Sequence, residues 1–191
     1  MAQHGSVHGC STHNEHEECH HHSLNPSVHQ TLDELAFEKG IWASALAGDN
    51  ADVELKLMRG RGSDVNNVDK SGYTALHYAC RNGHIKVCRT LLSYKADVNV
   101  ATIASKATPL HRAAYMGHSQ IVSLLMTHGA DPKAIDCDGM TALHKAAENG
   151  HVDVIEILVK AEPTILFMED NRGRKPTDIA KTDEALTMLK L

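Results

Sequence analysis

Between residues 69 and 166 the apolar and polar positions recur as one phrase at a nearly constant interval. It runs Gly72-Tyr-Thr-Ala-Leu-His77-Tyr-Ala-Cys-Arg-Asn-Gly-His84, then Ala107-Thr-Pro-Leu-His111-Arg-Ala-Ala-Tyr-Met-Gly-His118, then Gly139-Met-Thr-Ala-Leu-His144-Lys-Ala-Ala-Glu-Asn-Gly-His151. Thr74 and Thr108 are 34 residues apart, and Thr108 and Thr141 are 33 apart. A period of that size marks stacked supersecondary units that share one elongated core. Within each unit the pattern predicts two short helices. The Thr stands where the first must start, offering its hydroxyl to an unpaired backbone N–H. Pro109 fits the first helical position, where a missing N–H costs nothing. Gly83, Gly117 and Gly150 close that helix by supplying the left-handed residue after its end. A second helix follows each Gly-His pair. Its apolar residues are Ile85, Val87, Leu91 and Leu92 in one copy, Ile121, Val122, Leu124 and Leu125 in the next, and Val152, Val154, Ile155 and Leu158 in the third. All recur at helical period.

Turns punctuate the copies. Asp69-Lys-Ser-Gly72, Asp136-Cys-Asp-Gly139 and Asp170-Asn-Arg-Gly173 put Asp first and Gly fourth, the chemistry of a type I turn. The stretch Ile103-Ala-Ser-Lys106 has neither, so that tip is expected to be reshaped. Lys95 stands where the next copy has Gly129, and a non-glycine residue in a left-handed cap costs on the order of 1 kcal/mol. His77, His111 and His144 follow each Thr by three residues, on the same helix face, and are expected to bond back to the Thr or to a neighbouring loop. His84, His118 and His151 share a second position. Repetition in every copy is what a structural bond needs and what an active site does not. No Ser/His/Asp order, paired-carboxylate cluster or phosphate-cradling loop stands apart from the repeat, so neither a catalytic residue nor a cofactor is expected.

Turn, helix, reversal and helix, with a Thr-Pro/Ala-Leu-His-x-Ala signature, resemble the ankyrin repeat. The resemblance implies an all-α ankyrin-repeat solenoid of about five repeats with degenerate terminal copies. A lead-in helix over 29–39 is followed by repeats over about 40–68, 69–102, 103–135, 136–166 and 167–191. The first is marked by Ala45-Leu-Ala-Gly48-Asp49 and Ser63-Asp-Val-Asn66, the last by Gly173-Arg-Lys-Pro176-Thr-Asp-Ile-Ala180. Terminal copies diverge because one side faces water. Trp42 aligns with the His77 position and is expected to pack into the core.

The resemblance also implies a partner protein, held on the concave side by exposed positions of each first helix and by the turn tips. The helix positions are Tyr78, Arg81 and Asn82; Arg112, Tyr115 and Met116; and Lys145, Glu148 and Asn149. The tip positions are Lys70, Lys106, Cys137, Asp138, Met140 and Arg172. Tyr and Arg are frequent interface anchors. Tyr78, Arg81, Arg112 and Tyr115 are therefore expected to form an exposed aromatic and basic strip suited to an acidic or phosphorylated segment.

Composition refines this picture. In a chain of 191 residues, 42% apolar content supports a folded core, and a net charge of −5 argues against a nucleic-acid partner. No apolar run approaches the roughly 20 residues that span a bilayer, and the first residues lack the apolar core of a secretory signal. Cys10, Cys19, Cys80, Cys88 and Cys137 have no framework-like spacing and read as reduced thiols of a cytoplasmic or nuclear protein, expected to be a monomer. Residues 1–28 differ: eight of the fifteen histidines fall in the first 29 positions, amid Ser, Asn, Gly and Glu. Such a segment cannot bury a core and is expected to be disordered. Cys10, His13, His16 and Cys19, each three apart, offer the ligand types that zinc prefers. They lack the paired spacing and apolar packing of a structural zinc site, and His/Cys tracts bind metal by composition alone. The function expected is that of a non-catalytic binding scaffold or adaptor, with a zinc-responsive adaptor as the rival.

Overall fold

The computed structural model describes residues 40–59 and 64–190. The expected lead-in helix and the four metal candidates Cys10, His13, His16 and Cys19 lie outside the described residues. Nine α-helices appear among those residues, and no strand. They come in pairs: α1 Ile41–Ala47 with α2 Asn50–Arg59, α3 Ala75–Asn82 with α4 Ile85–Ser93, α5 Pro109–Met116 with α6 Ser119–Thr127, and α7 Ala142–Asn149 with α8 Val152–Ala161. In the last unit a short 3₁₀ helix at Pro176–Asp178 replaces the first helix and α9, Asp183–Met188, is the second. First helices stack on first helices, and second helices on second helices.

Each repeated residue closes a bond between neighbouring units. Thr74, Thr108 and Thr141 are the N-caps of α3, α5 and α7 in extended conformation, each in a capping box with the His three residues on. The Thr backbone N–H donates to His Nδ1 at 3.1–3.2 Å. An Nδ1 that accepts leaves the proton on Nε2. That nitrogen donates to the next turn, at Ala107 O (3.1 Å), Met140 O (2.9 Å) and Arg174 O (3.1 Å) respectively. The expected alternatives for these histidines are thus both realised. Burial lowers the pKa of all three, that of His77 to about 4.

The Gly-His pairs tie the stack together a second time, in the opposite direction. His84, His118 and His151 donate from Nε2 to Leu46 O, Arg81 O and Tyr115 O of the preceding first helix, at 3.0, 3.1 and 3.0 Å. Each ring lies against the glycine of that same preceding unit. A Cβ on Gly117, whose φ is +78°, would sit 2.6 Å from His151 Nδ1. These glycines therefore provide both a left-handed cap and a seat for the next histidine.

The core between units is mostly Ala in the first helices and larger side chains in the second. Ala75, Ala79, Ala113, Ala114, Ala146 and Ala147 are fully buried, as are Val87, Leu91, Val122, Leu125, Ile155 and Leu158. Burying one of those Leu or Ile side chains contributes about 2–3 kcal/mol. Trp42 is half-buried against this core, and its Nε1 donates to Asn67 O at 2.9 Å. It supplies from the first unit the same kind of bond that His77 makes to a following turn.

Candidate partner-binding face

The turns project beside the first helices and are built on one residue. Oδ1 of Asp69 accepts from Ser71 N and Tyr73 N, that of Asp136 from Asp138 N and Met140 N, and that of Asp170 from Arg172 N and Arg174 N, all at 2.8–2.9 Å. The other carboxylate oxygen then binds a nearby side chain of the same unit. Asp69 accepts from Tyr78 Oη at 2.5 Å, Asp136 lies 2.8 Å from Lys145 Nζ, and Asp170 lies 2.7 Å from Arg174 Nη2. Burial opposes ionisation of Asp136, but Lys145 and two backbone N–H groups outweigh it and hold the carboxyl below its ordinary range. Burial, then Asp69, push the Tyr78 phenol up.

The turn over 102–107 is the expected exception. It holds one more residue, closing from Thr102 N to Ala107 O at 3.0 Å where its neighbours close from Asp69 N to Tyr73 O and from Asp136 N to Met140 O. Thr102 Oγ1 stands in for the Asp carboxylate and accepts from Ala107 N at 3.1 Å. Lys106 takes a left-handed conformation, φ +50°, where the other turns have glycine. Arg112, which occupies the Lys145 position, has no carboxylate in its own turn to bind. Its Nη2 donates to Tyr73 Oη and to Ser105 Oγ (3.1 Å), and its guanidinium carbon lies 5.1 Å from the Tyr73 ring centroid. Arg112 Nε is buried without a partner.

These contacts correct the expected strip. Tyr78, Arg112 and Lys145 are half-buried and committed to bonds inside the solenoid, because a side chain four residues after the cap reaches back to its own turn. Met140 is corrected too. It is 6% exposed, since it follows the turn glycine and its carbonyl is the acceptor for His111. Asn82 and Asn149 donate to Tyr78 O and Lys145 O at 3.0 and 2.9 Å and finish the ends of their helices.

The exposed positions form a row. Arg81, Tyr115 and Glu148 each lie seven residues after their cap and two before the left-handed glycine, and all three are exposed. Leu46 holds the same place before Gly48 and is 41% exposed. Leu46, Arg81 and Tyr115 give their carbonyls to the next unit's histidine, so the row varies in chemistry on a backbone held fixed. Met116 lies beside Tyr115 and is exposed, as are Lys70, Lys106, Cys137, Asp138 and Arg172 at the turns. Leu46 was not among the sequence-based candidates; its place before Gly48, in the degenerate first copy, was the available signal. Ile103 and Ile135, 70% and 52% exposed at the turns, had no signal, because a turn position carries no periodicity.

Two grooves run between adjacent turns. One, of about 280 Å³, is lined by Ser105, Arg112, Tyr115, Cys137, Asp138 and Lys145, with others. The next, of about 230 Å³, lies among Asp138, Lys145, Glu148, Asn171, Arg172 and Arg174. Among the described residues no group of three or more His, Cys, Asp or Glu is placed to hold a metal ion, and no helix is long and apolar enough to cross a membrane.

Stacked helix pairs, Thr–His capping boxes and bonded turns define a class, that of repeat proteins presenting a ridged face. Comparison supplies the family: the model for ankyrin repeats matches three times, over residues 11–102, 40–136 and 101–167, and the chain belongs to the ankyrin-repeat family. Human ankyrin repeat domain-containing protein 39 is 45% identical over 84 residues, 44% of this chain and 45% of that protein. The Bos taurus protein of the same name is 52% identical over 66 residues, 35% of each chain. Human BCL-6 corepressor-like protein 1 is 36% identical over 91 residues, 48% of this chain and 5% of its own length. The chain thus aligns with less than half the length of each of these relatives.

Proposed function

We propose that the chain is a non-catalytic adaptor that binds a partner protein through the row Leu46, Arg81, Tyr115 and Glu148 together with the adjacent turns. Ankyrin repeats generally mediate protein–protein interaction, and a solenoid's repeated face is its usual binding surface. The observation that carries the reading is a division of labour among positions. Residues that repeat in every unit are spent on bonds between units, whereas the position seven residues after the cap differs from unit to unit and is exposed in each. An apolar residue, a cation, an aromatic and an acid at equivalent places can discriminate one partner from another, and nothing in the fold needs them to differ. Tyr115 and Arg81 are of the types that most often anchor interfaces.

The test is affinity capture from cell extract with the wild-type chain and with Arg81→Ala, Tyr115→Ala and Met116→Ala combined. All three side chains are exposed, so the urea midpoint should be unchanged within error. Partners that wild type holds and the variant loses support the reading. Capture unaffected by the triple change refutes the row as the binding site.

A further inference from the structure

The turn over 102–107 is the one that departs from its neighbours, and its departures share a sign. Of the four turns from Asp69 onward it alone contains no acidic residue. The Asp that binds Lys145 in the next unit is replaced here by the neutral Thr102, so Arg112 has no carboxylate in its own turn. Lys106 adds a second cation and holds a left-handed conformation that costs an L-residue on the order of 1 kcal/mol. Strain of that kind persists where the surrounding structure holds it in place. Among the described residues neither cation has a carboxylate within ion-pair distance, and Arg112 Nε is buried with its hydrogen unbonded. An orphaned buried donor is unfavourable by about 1–3 kcal/mol. Arg112 is thus held by Tyr73 and Ser105 with no carboxylate of its own turn to balance its charge.

We propose that the groove between this turn and the next binds a single carboxylate, an Asp or Glu side chain in an extended segment of the partner, with Arg112 as its main ligand and the exposed Lys106, between the lining residues Ser105 and Ala107 in sequence, as a second cation nearby. The inference rests on the partner-binding reading above and adds the chemistry of what is bound. A single charge fits better than a double one. Asp138 lines the same groove, and Asp136 on its far wall is already neutralised by Lys145, so a dianionic phosphate meets an uncompensated acid. Tyr115, half exposed at the groove and part of the variable row, offers an aromatic wall for the residue beside the carboxylate. Charge-assisted bonds to a guanidinium are about twice as strong as neutral ones, which makes this groove the place where partner charge is read.

Thr102→Asp is the decisive variant, because it restores the residue that the other turns carry. By equivalence with Asp136, the new carboxylate accepts from Ala107 N and pairs with Arg112, closing the groove from within while leaving stability unchanged or raised. Lys106→Gly relieves the left-handed strain and removes the second cation, so neither variant loses binding by unfolding. The probe is a random-peptide library displayed on phage, selected on the full chain, followed by fluorescence anisotropy with a selected peptide. Selected peptides should share an acidic position. Its Glu→Gln form and the Thr102→Asp protein should each weaken binding roughly tenfold or more, and Lys106→Gly by a few-fold. A consensus without an acidic position overturns the inference, as does a Thr102→Asp protein that binds undiminished or a phosphoserine peptide that binds more tightly than the Glu peptide. If binding ignores Thr102→Asp but is lost with Arg81→Ala and Tyr115→Ala, the groove fails and the adaptor reading stands. If the folded chain selects no peptide, the groove inference fails, and the capture experiment judges the adaptor reading separately.

Discussion

The pairing of each glycine with the next unit's histidine predicts a non-additive response to the smallest substitution available. Gly117→Ala adds one methyl group at φ +78°, and that methyl lies 2.6 Å from His151 Nδ1. Left-handed backbone costs an L-residue about 1 kcal/mol. To clear the methyl the His151 ring must also move, which breaks its 3.0 Å bond to Tyr115 O, a further loss of about 1 kcal/mol before any repacking. The expected total is about 2–3 kcal/mol. Gly129 is the internal control. Its φ is +84°, and a Cβ there meets nothing within 4 Å, so Gly129→Ala carries only the backbone part, about 1 kcal/mol. In a His151→Ala background the ring is gone, and Gly117→Ala should fall back to that same figure. Urea unfolding followed by far-UV circular dichroism on the four proteins gives the cycle. Equal costs for Gly117→Ala and Gly129→Ala, or a cost at Gly117 that is unchanged when His151 is absent, would refute the argument that the two residues form one inter-unit joint.

Two further outcomes follow from the fold. The buried His77 has its pKa lowered to about 4, whereas the unfolded chain takes up a proton near 6.5. Below that pH the unfolded state binds more protons, so stability falls as pH drops from about 6.5 to 4 and levels off once the folded ring also protonates, a loss of roughly 3 kcal/mol from this residue. His111 and His144 contribute in the same direction, and a His77→Gln variant should show a shallower slope in urea titrations across that range. Lys95→Gly should stabilise by about 0.5–1 kcal/mol, because Lys95 sits at φ +65° on an exposed helix end; a lower melting temperature would show that its side chain has a role in the cap.

Much of this architecture was legible because a repeat writes the same local physics several times. Thr at the cap, His three residues on and Gly at the close are short-range signals. Three copies of each, at a spacing near 33 residues, left little else that the chain could form. The all-α solenoid, the left-handed Lys95 and the reshaped turn at 102–107 all followed from residues compared with their own counterparts. The terminal copies were harder. A 3₁₀ turn at Pro176–Asp178 replaces a full helix, with Asp178 accepting from Lys175 N at 2.8 Å in the role that His plays elsewhere.

Local pattern could not rank the members of the expected strip. Tyr78, Arg81, Arg112 and Tyr115 are alike in type and all lie on first helices, yet Tyr78 and Arg112 are consumed by turns and by a neighbouring tyrosine while Arg81 and Tyr115 face solvent. What separates them is reach: four residues after the cap a side chain points back to its own turn, and seven residues after it points away. Met140 was misplaced for a related reason, since a tip residue and a buried acceptor for the preceding unit's histidine differ by one position past the glycine. The sequence by itself determined the units, their period and the residues that cap and join them, because those depend on bonds within a few positions of the chain. Only the tertiary structure decided which side chains remain unspent, because exposure and charge balance depend on what the adjacent unit brings within a few ångströms.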